Sequence, residues 1–177
     1  MKAIIVAVDF SNATPAVVEI AVSLAKVFGA SLQLFHAVEP EPGYATYGFT
    51  MAEFPAMGEL HEETRRRATR LLADLLATVQ VDLPAATSHI AVGSPLHELL
   101  GHIKRTAADF VVVGSHGHGA ISSLLLGSVA EGMVRKATVP TLIVPAPPEN
   151  LLATSTARPE SGKAPQNEYA ALHQMVR

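Results

Sequence analysis

Short apolar runs without regular polar alternation recur along the chain, and they constrain its fold more than any other feature. The runs AIIVAV and DFVVV consist mainly of alanine and β-branched residues. Strands buried on both faces of a parallel sheet have this pattern, whereas strands with one wet face alternate apolar and polar residues. Five strands are expected, at 3–8, 31–38, 86–91, 109–113 and 141–144.

Segments with helical spacing separate these runs. Thr14-Pro15 and Ser94-Pro95 each combine an N-cap residue with a first-turn proline, and Gly29 is suited to end the first helix. A charged helix is expected from Glu59 to about Thr78, with the EETRRR run on its solvated face. A last helix should begin near Ser128. Strands that alternate with helices predict an α/β fold with a parallel sheet and right-handed crossovers, but not the order of the strands.

Composition excludes several classes of function. The formal net charge of −3 provides no basic field for non-specific binding to nucleic acid. The chain has no cysteine, which excludes disulfides, thiolate metal sites and cysteine nucleophiles. The first apolar run, of about six residues, is too short for a signal-peptide core or a membrane span. A soluble cytoplasmic protein without membrane insertion is therefore expected.

Two segments do not follow the α/β pattern. Residues 39–58 contain prolines, glycines and four aromatic side chains without a clean period, and a loop of this length in a compact domain is usually functional or mobile. After Pro148 the chain becomes rich in Ser, Thr, Ala and Pro. We therefore expect one domain over residues 1–147 and a flexible tail over 148–177.

The stretch VVVGSHGHGAISSLLLGSVAEG, from Val111 to Gly132, is the candidate functional motif. Gly114, Gly117 and Gly119 follow the fourth strand, and Gly127-Ser128 stands at a helix start. Such a loop can hold phosphate through backbone N–H groups and the positive end of the helix dipole. Glycine allows positive φ and a close approach of the backbone to a ligand. From these residues alone, a plain surface turn remains the alternative.

Familiar phosphate and catalytic motifs are absent from this stretch. A P-loop requires Gly-Lys-Ser or Gly-Lys-Thr where Gly119-Ala120-Ile121 stands, and the dinucleotide fingerprint requires a glycine where Ser122 stands. Ser115 has no glycine two positions before it, which excludes a nucleophile elbow.

The spacing Gly114-x2-Gly117-x9-Gly127-Ser128 resembles the nucleotide loop of the ATP-binding branch of the universal stress protein family. Four further segments match that family in the same order: AVDFS at 7–11, LFHAVEP at 34–40, GSP at 93–95 and the closing LLLGSVAEGMVRKATVPTLIVP. The resemblance covers residues 1–147 and leaves the tail outside.

The resemblance implies a doubly wound five-stranded parallel sheet with helices on both faces, a homodimer formed through the last strand (Thr141 to Val144), and bound ATP. It also assigns candidate binding positions. Ala7 and Ala37 would border the adenine, Asp9 would lie near the ribose, and Val113 and Gly114 would line the nucleoside. The triphosphate would be surrounded by Gly117, His118, Gly127, Ser128 and Val129. Asp9 and Ser128 also have a simpler interpretation as helix caps.

The sequence departs from the family pattern in the charge of the loop. Many relatives carry an arginine directly after the second glycine and another basic residue nearby, whereas this chain has His118 and Ser123. Arg135 and Lys136 lie about two helical turns beyond Ser128, too far to contact the phosphates. A divalent cation, Mg²⁺, is therefore expected to neutralise most of the triphosphate charge. A structural zinc site at His116 and His118 is disfavoured because no cysteine or assigned carboxylate accompanies them.

Three functions agree with this sequence. The first is an ATP-binding regulatory protein, and the second is a slow ATP hydrolase. Efficient hydrolysis is not expected because the loop contains no Lys or Arg and no carboxylate clearly assigned as a base. The third is a dimeric scaffold whose 39–58 segment or tail recruits an unidentified protein partner.

Overall fold

The computed structural model describes residues 1–39, 55–117 and 126–145, with the backbone alone for 55–60. Four α-helices and five β-strands alternate along this part of the chain. The strands are β1 (Ala3–Ala7), β2 (Ser31–Val38), β3 (Thr87–Val92), β4 (Phe110–Gly114) and β5 (Thr141–Val144). The helices are α1 (Thr14–Phe28), α2 (Pro55–Asp82), α3 (Pro95–Thr106) and α4 (Ser128–Lys136).

The strands form one sheet in the order β3-β2-β1-β4-β5, and every neighbouring pair is parallel. The predicted α/β fold with a five-stranded parallel sheet is therefore confirmed. From the central β1, the chain winds outward through β2 and β3, then crosses to β4 and winds outward through β5. This reversal between β1 and β4 is the topological switch point at which open α/β sheets bind ligands.

Each face of the sheet is covered by two helices. Ile4 and Val6 of β1 pack in a core with α1 and α2, whereas the intervening Ile5 packs in a second core with α3 and α4. Successive side chains of a strand point to opposite faces. Both faces of the central strands are therefore apolar, which explains the absence of polar alternation in their sequence.

The second helix is longer than its sequence pattern predicted. It spans Pro55–Asp82 instead of 59–78, so the final residues of the 39–58 segment are helical. Its apolar stripe continues past Leu75 to Val79, which is buried against the sheet. Asp82, the last residue, lies 2.7 Å from the ammonium group of Lys26 in α1. Both contacts come from tertiary packing, which the local pattern could not indicate.

Two predicted helix caps differ in the structure. Ala13, not Thr14, occupies the N-cap of α1, and Gly127, not Ser128, occupies the N-cap of α4. Gly29 ends α1 as predicted, with a left-handed φ of 60°. The EETRRR prediction is also confirmed, because the arginines of this run are exposed. Residues 40–54 and 146–177 lie outside the described part of the chain. The predicted flexible tail and most of the predicted partner-binding segment fall on these residues.

The crossing of α3 and α4 depends on a glycine. A Cβ added to Gly132 of α4 would overlap Cδ2 of Leu96 and lie 2.8 Å from its Cδ1. A Cβ added to Gly101 of α3 would meet only the end of the flexible Arg105 side chain, at 3.1 Å from its Nη1. The two helical glycines thus differ in packing although both carry the same backbone propensity cost.

We predict opposite effects of alanine at these two positions. Gly132→Ala should lower the free energy of unfolding by about 1–3 kcal/mol because Leu96 must be displaced from a packed interface. Gly101→Ala should raise it by about 0.5–1 kcal/mol, the gain in helix propensity. Urea denaturation of both variants measures the difference. A stabilising Gly132→Ala would contradict the close helix crossing.

Candidate nucleotide-binding cleft

A cleft opens at the carboxyl ends of β1, β2 and β4, where the chain changes its winding direction. Its volume of about 560 Å³ lies within the range of small-ligand and cofactor sites. Nine of the ten candidate residues line it: Ala7, Asp9, Ala37, Val113, Gly114, Gly117, Gly127, Ser128 and Val129. The tenth, His118, lies outside the described residues.

The sheet itself brings these distant positions together. Ala7 at the end of β1 is the register partner of both Phe35 of β2 and Val113 of β4. After these positions, the chain beyond β1 enters α1 on one face, and the chain beyond β4 leads to α4 on the other face. The two connections diverge, and the space between them is the cleft.

Asp9 ties the first helix to the glycine loop. Its Oδ1 accepts a hydrogen bond from the Ser11 N–H at 3.0 Å and one from Thr14 Oγ1 at 3.5 Å. Its Oδ2 lies so close to Gly117 that an added Cβ there would overlap it. The simpler interpretation of Asp9 as a helix cap is wrong, because Ala13 is the N-cap of α1 and no described side chain caps it. The carboxylate instead organises the turn before α1 while it also borders the cleft.

Close approach, and not positive φ, explains glycine at Gly114 and Gly117. Among the described glycines, only Gly29 and Gly93 have positive φ, so Gly114, Gly117 and Gly127 do not use the left-handed backbone that glycine allows. A Cβ on Gly114 would lie 3.2 Å from the His116 carbonyl oxygen, and one on Gly127 would lie 3.4 Å from the Ser115 carbonyl oxygen. Glycine lets the loop fold tightly on itself and against Asp9.

The amino terminus of α4 contributes to the cleft wall. The Gly127 N–H donates to the Ser115 carbonyl at 2.8 Å, which joins the two described ends of the loop. Ser128, Val129 and Ala130 of the first turn line the cleft. Helix geometry leaves N–H groups of this turn without intrahelical acceptors, and no side chain among the described residues caps the helix. A ligand in the cleft therefore meets N–H donors and the positive end of the helix dipole.

The described lining of the cleft contains two carboxylates, Asp9 and Glu39, but no Lys or Arg. Two imidazoles, His36 and His116, complete its ionisable groups. The loop sequence between Gly117 and Gly127 adds no Lys or Arg either. The helix terminus and backbone N–H groups must therefore supply most of the positive potential that the protein offers to an anion.

His116 has one ring nitrogen bonded and the other without a partner. Its Nδ1 lies 2.9 Å from Ser115 Oγ, whereas its Nε2 is buried and has no hydrogen-bond partner in the described structure. The side chain lines the cleft beside the glycine loop. An unpaired buried nitrogen at this position is available to a ligand or an ordered water molecule.

Sequence reasoning missed a group of residues beside β2. His36 lines the cleft, and its Nδ1 lies 2.8 Å from the Val8 carbonyl oxygen. Its ring also packs against Phe10 at a centroid distance of 4.4 Å. Phe10 has a left-handed φ of 62°, unusual for a residue with a side chain. No local pattern signals this contact, because it depends on the pairing of β1 with β2.

Sequence reasoning also missed the helix walls of the cleft. Thr64 and Ala68 of α2 line it, as do Pro95 and Leu99 of α3. For α2, a signal was available in the sequence: Thr64 and Ala68 are small residues four positions apart in a strongly charged helix. Small side chains on one face of a helix allow a ligand or a neighbouring element to approach closely. For α3 the GSP segment marked the position but not the contact.

The described residues contain neither a metal-binding cluster nor a membrane-spanning helix. No group of three or more histidine or acidic side chains there is arranged to hold a metal ion. None of the helices in the described ranges is long and apolar enough to cross a membrane.

The fold and this cleft define an open α/β protein with a cleft at its switch point. The model of the universal stress protein family matches residues 1–145, and the chain belongs to that family. A universal stress protein from Thermus aquaticus is 32% identical over 143 residues, which cover 81% of this chain and 98% of the relative.

Solved structures agree with the fold assignment. A universal stress protein from Lactobacillus plantarum superposes with a TM-score of 0.72 at 23% identity, over 81% of this chain and 97% of the other. The universal stress protein of Archaeoglobus fulgidus in complex with dAMP gives a TM-score of 0.59 at 20% identity, over 81% and 98% of the two chains.

The contact between Asp9 and Gly117 generates a stability prediction. Gly117→Ala should displace the Asp9 carboxylate and lower the free energy of unfolding by about 1–3 kcal/mol, because the charged hydrogen bonds to Ser11 and Thr14 are lost. Gly127→Ala, whose Cβ meets only ordinary contacts, should cost less than about 1 kcal/mol.

A double-mutant cycle isolates this contact. In an Asp9→Ala background, Gly117→Ala should have little effect, since the overlapping carboxylate is gone. Urea denaturation of the four proteins measures the coupling. Additive effects of the two substitutions would show that the carboxylate does not restrict position 117.

Proposed function

We propose that this protein is a regulatory module that binds ATP, as the complex with Mg²⁺, in the cleft at the carboxyl edge of the sheet. The observation that carries the proposal is the meeting of a glycine loop with an uncapped helix terminus at the switch point, in a cavity large enough for a nucleotide. The dAMP complex of the A. fulgidus relative supports a nucleotide as the ligand class.

Each part of the nucleotide has chemically suitable neighbours in this proposal. The small side chains of Ala7 and Ala37 leave room for the flat base beside the strand ends. Asp9 accepts hydrogen bonds from the ribose hydroxyls, and Val113 and Gly114 pack against the nucleoside. The phosphates lie by Gly117, His118 and the first turn of α4 at Gly127, Ser128 and Val129, where N–H groups act as donors.

Mg²⁺ has a specific purpose in this cleft. An ATP molecule brings several negative charges to a lining that already holds Asp9 and Glu39 and contains no described Lys or Arg. The dipole of α4 contributes only about half a unit of positive charge. In nucleotide sites, Mg²⁺ is commonly coordinated by the phosphate oxygens of the bound nucleotide. The cation would neutralise the phosphate charge that the protein leaves uncompensated.

The proposal includes a cytoplasmic homodimer formed through β5. Among the described strands, β5 is at the edge of the sheet and pairs only with β4. An edge strand presents unpaired backbone groups, to which a second copy can add. Thr141, Leu142 and Ile143 are only partly buried in the single chain, which supports burial of this edge by a partner.

We predict that nucleotide affinity depends on Mg²⁺ and on Asp9. Calorimetric titration of nucleotide-free protein should give micromolar ATP binding with Mg²⁺ and at least tenfold weaker binding with EDTA. Asp9→Asn should weaken Mg·ATP binding by about 10–100-fold, since a charged hydrogen bond is worth about 1.5–3 kcal/mol. His118→Arg should reduce the dependence on Mg²⁺.

Asp74→Asn is the matched control, because Asp74 is an exposed aspartate of α2 outside the cleft lining. It should bind Mg·ATP as the wild type does. Absence of binding in folded wild-type protein would refute the proposed function, and equal affinities of the Asp9→Asn and wild-type proteins would remove Asp9 from the site.

One observation favours slow hydrolysis as a second candidate function. The Asp9 carboxylate lies against the loop at Gly117, and His116, whose buried Nε2 has no partner among the described residues, lines the same cleft. These groups can orient a water molecule near a phosphate. Without an arginine to stabilise the developing charge, turnover should stay below about 10⁻² per second, the rate of nucleotide hydrolases that carry their arginine in place.

His116→Asn tests this second function. Asparagine can keep a hydrogen bond to Ser115 Oγ but has no counterpart of Nε2. Single-turnover release of phosphate should fall at least tenfold while Mg·ATP affinity changes little. Phosphate release equal to that of the wild type would exclude His116 from the reaction, and no release from wild-type protein would leave binding as the function.

A further inference from the structure

Two histidines stack beneath the cleft, on the sheet face covered by α3 and α4. The rings of His89 from β3 and His102 from α3 are nearly parallel, 15° apart, with centroids separated by 4.2 Å. His102 is only 4% exposed. His89, on the edge strand, is half-buried. None of the roles proposed above uses this stacked imidazole pair.

The hydrogen bonds around His102 define its protonation state. Gln33 Nε2 donates to Thr87 Oγ1 at 3.2 Å, so its Oε1 is directed to His102 and accepts from Nε2 at 2.5 Å. The second ring nitrogen, Nδ1, is buried without a partner in the described structure. A proton added to Nδ1 would therefore be a buried donor without an acceptor, next to a second imidazole.

The charged surroundings of His102 also oppose protonation. Burial lowers its pKa to about 4, and the neighbouring His89 and Arg105 contribute in the same direction. From β2, two uncharged side chains face it, Gln33 and Phe35. Helix α4 packs against α3, but its Glu131 and Arg135 form an exposed ion pair with each other, 2.7 Å apart.

The pair is connected to the cleft by direct contacts. The ring of Phe35 lies 5.3 Å from His102 and 6.0 Å from His89, and Phe35 also lines the cleft. Leu99, one turn before His102 on α3, lines the cleft as well. A movement of α3 away from the sheet therefore alters the cleft wall.

We propose that His89 and His102 form a histidine latch, which holds α3 against β2 and β3 while His102 is neutral, so that acidification loosens α3 and weakens nucleotide binding. The effect on binding rests on the proposed function, whereas the latch itself does not. The thermodynamic direction follows from the pKa of His102, which lies below the ordinary 6.5 in the closed state. The closed state therefore loses stability relative to an open one as the pH falls from about 6.5 toward about 4.

Hydrogen exchange of the α3 amides in the full chain, without nucleotide, tests the latch. If opening exposes His102 and restores its ordinary pKa, the opening constant should rise about thirtyfold between pH 7.5 and pH 5.0. After correction for intrinsic exchange rates, protection of α3 should fall by that factor relative to α1, which packs on the opposite face.

Three variants assign the effect to the pair. His102→Gln keeps a donor for Gln33 but does not titrate, and it should abolish the pH-dependent loss of protection. His89→Gln removes the neighbouring imidazole and should reduce it. His97→Gln changes an exposed histidine of the same helix and should behave as the wild type. An equal loss in wild type and in folded His102→Gln, or no loss in either, would overturn the latch.

A second measurement tests the connection to the cleft. Mg·ATP affinity should decrease more between pH 7.5 and pH 5.0 in the wild type than in His102→Gln. The comparison cancels titration of the nucleotide's own phosphate, whose second pKa is near 6. Equal decreases in both proteins would overturn the connection. No binding by any of the proteins at pH 7.5 would refute the proposed function, while the exchange experiment would still decide the latch.

Discussion

The pairing of β1 with β4 at the centre of the sheet is the constraint on which the rest of the structure depends. It places Ala7 beside Val113 and sends the two following connections to opposite faces. The cleft exists because those connections diverge. Both faces of the sheet are buried, mainly by Ala, Val, Ile and Leu side chains. The hydrophobic effect of this burial stabilises the arrangement.

Within the cleft, one carboxylate has both a structural and a functional position. Asp9 receives hydrogen bonds from the turn before α1 and leaves no space for a side chain at position 117. The same group borders the space where ribose and phosphate are proposed to lie. Under the proposed function, stability and ligand binding would be coupled at Asp9. A bulky substitution of Gly117 would then not by itself distinguish a lost ligand contact from a displaced aspartate.

The ionisable groups of the cleft are mainly acidic or imidazole side chains. Its described lining combines two carboxylates with backbone N–H groups and imidazoles, in place of cationic side chains. Binding of an anionic nucleotide would thus depend on the cation that accompanies it. The histidine pair beneath Phe35 would add the proposed dependence on pH, because α3 contributes His102 to that pair and also forms one wall of the cleft.

The sequence by itself determined the α/β class, the five strands and the glycines that line the cleft after β4. These features depend on local patterns: apolar runs without polar alternation, cap residues followed by proline, and the spacing of glycines after β4. Family resemblance extended this to candidate positions such as Asp9 and Ala37. Tertiary structure alone decided the strand order, the length of α2 and the reason for Gly117, since each depends on contacts between distant segments. It also decided the contributions of His36, Thr64 and Leu99 to the cleft and the stacking of His89 on His102. Such contacts arise only when the register of the sheet brings residues that are far apart in the chain onto the same face. The periodicity within one segment contains no information about that register.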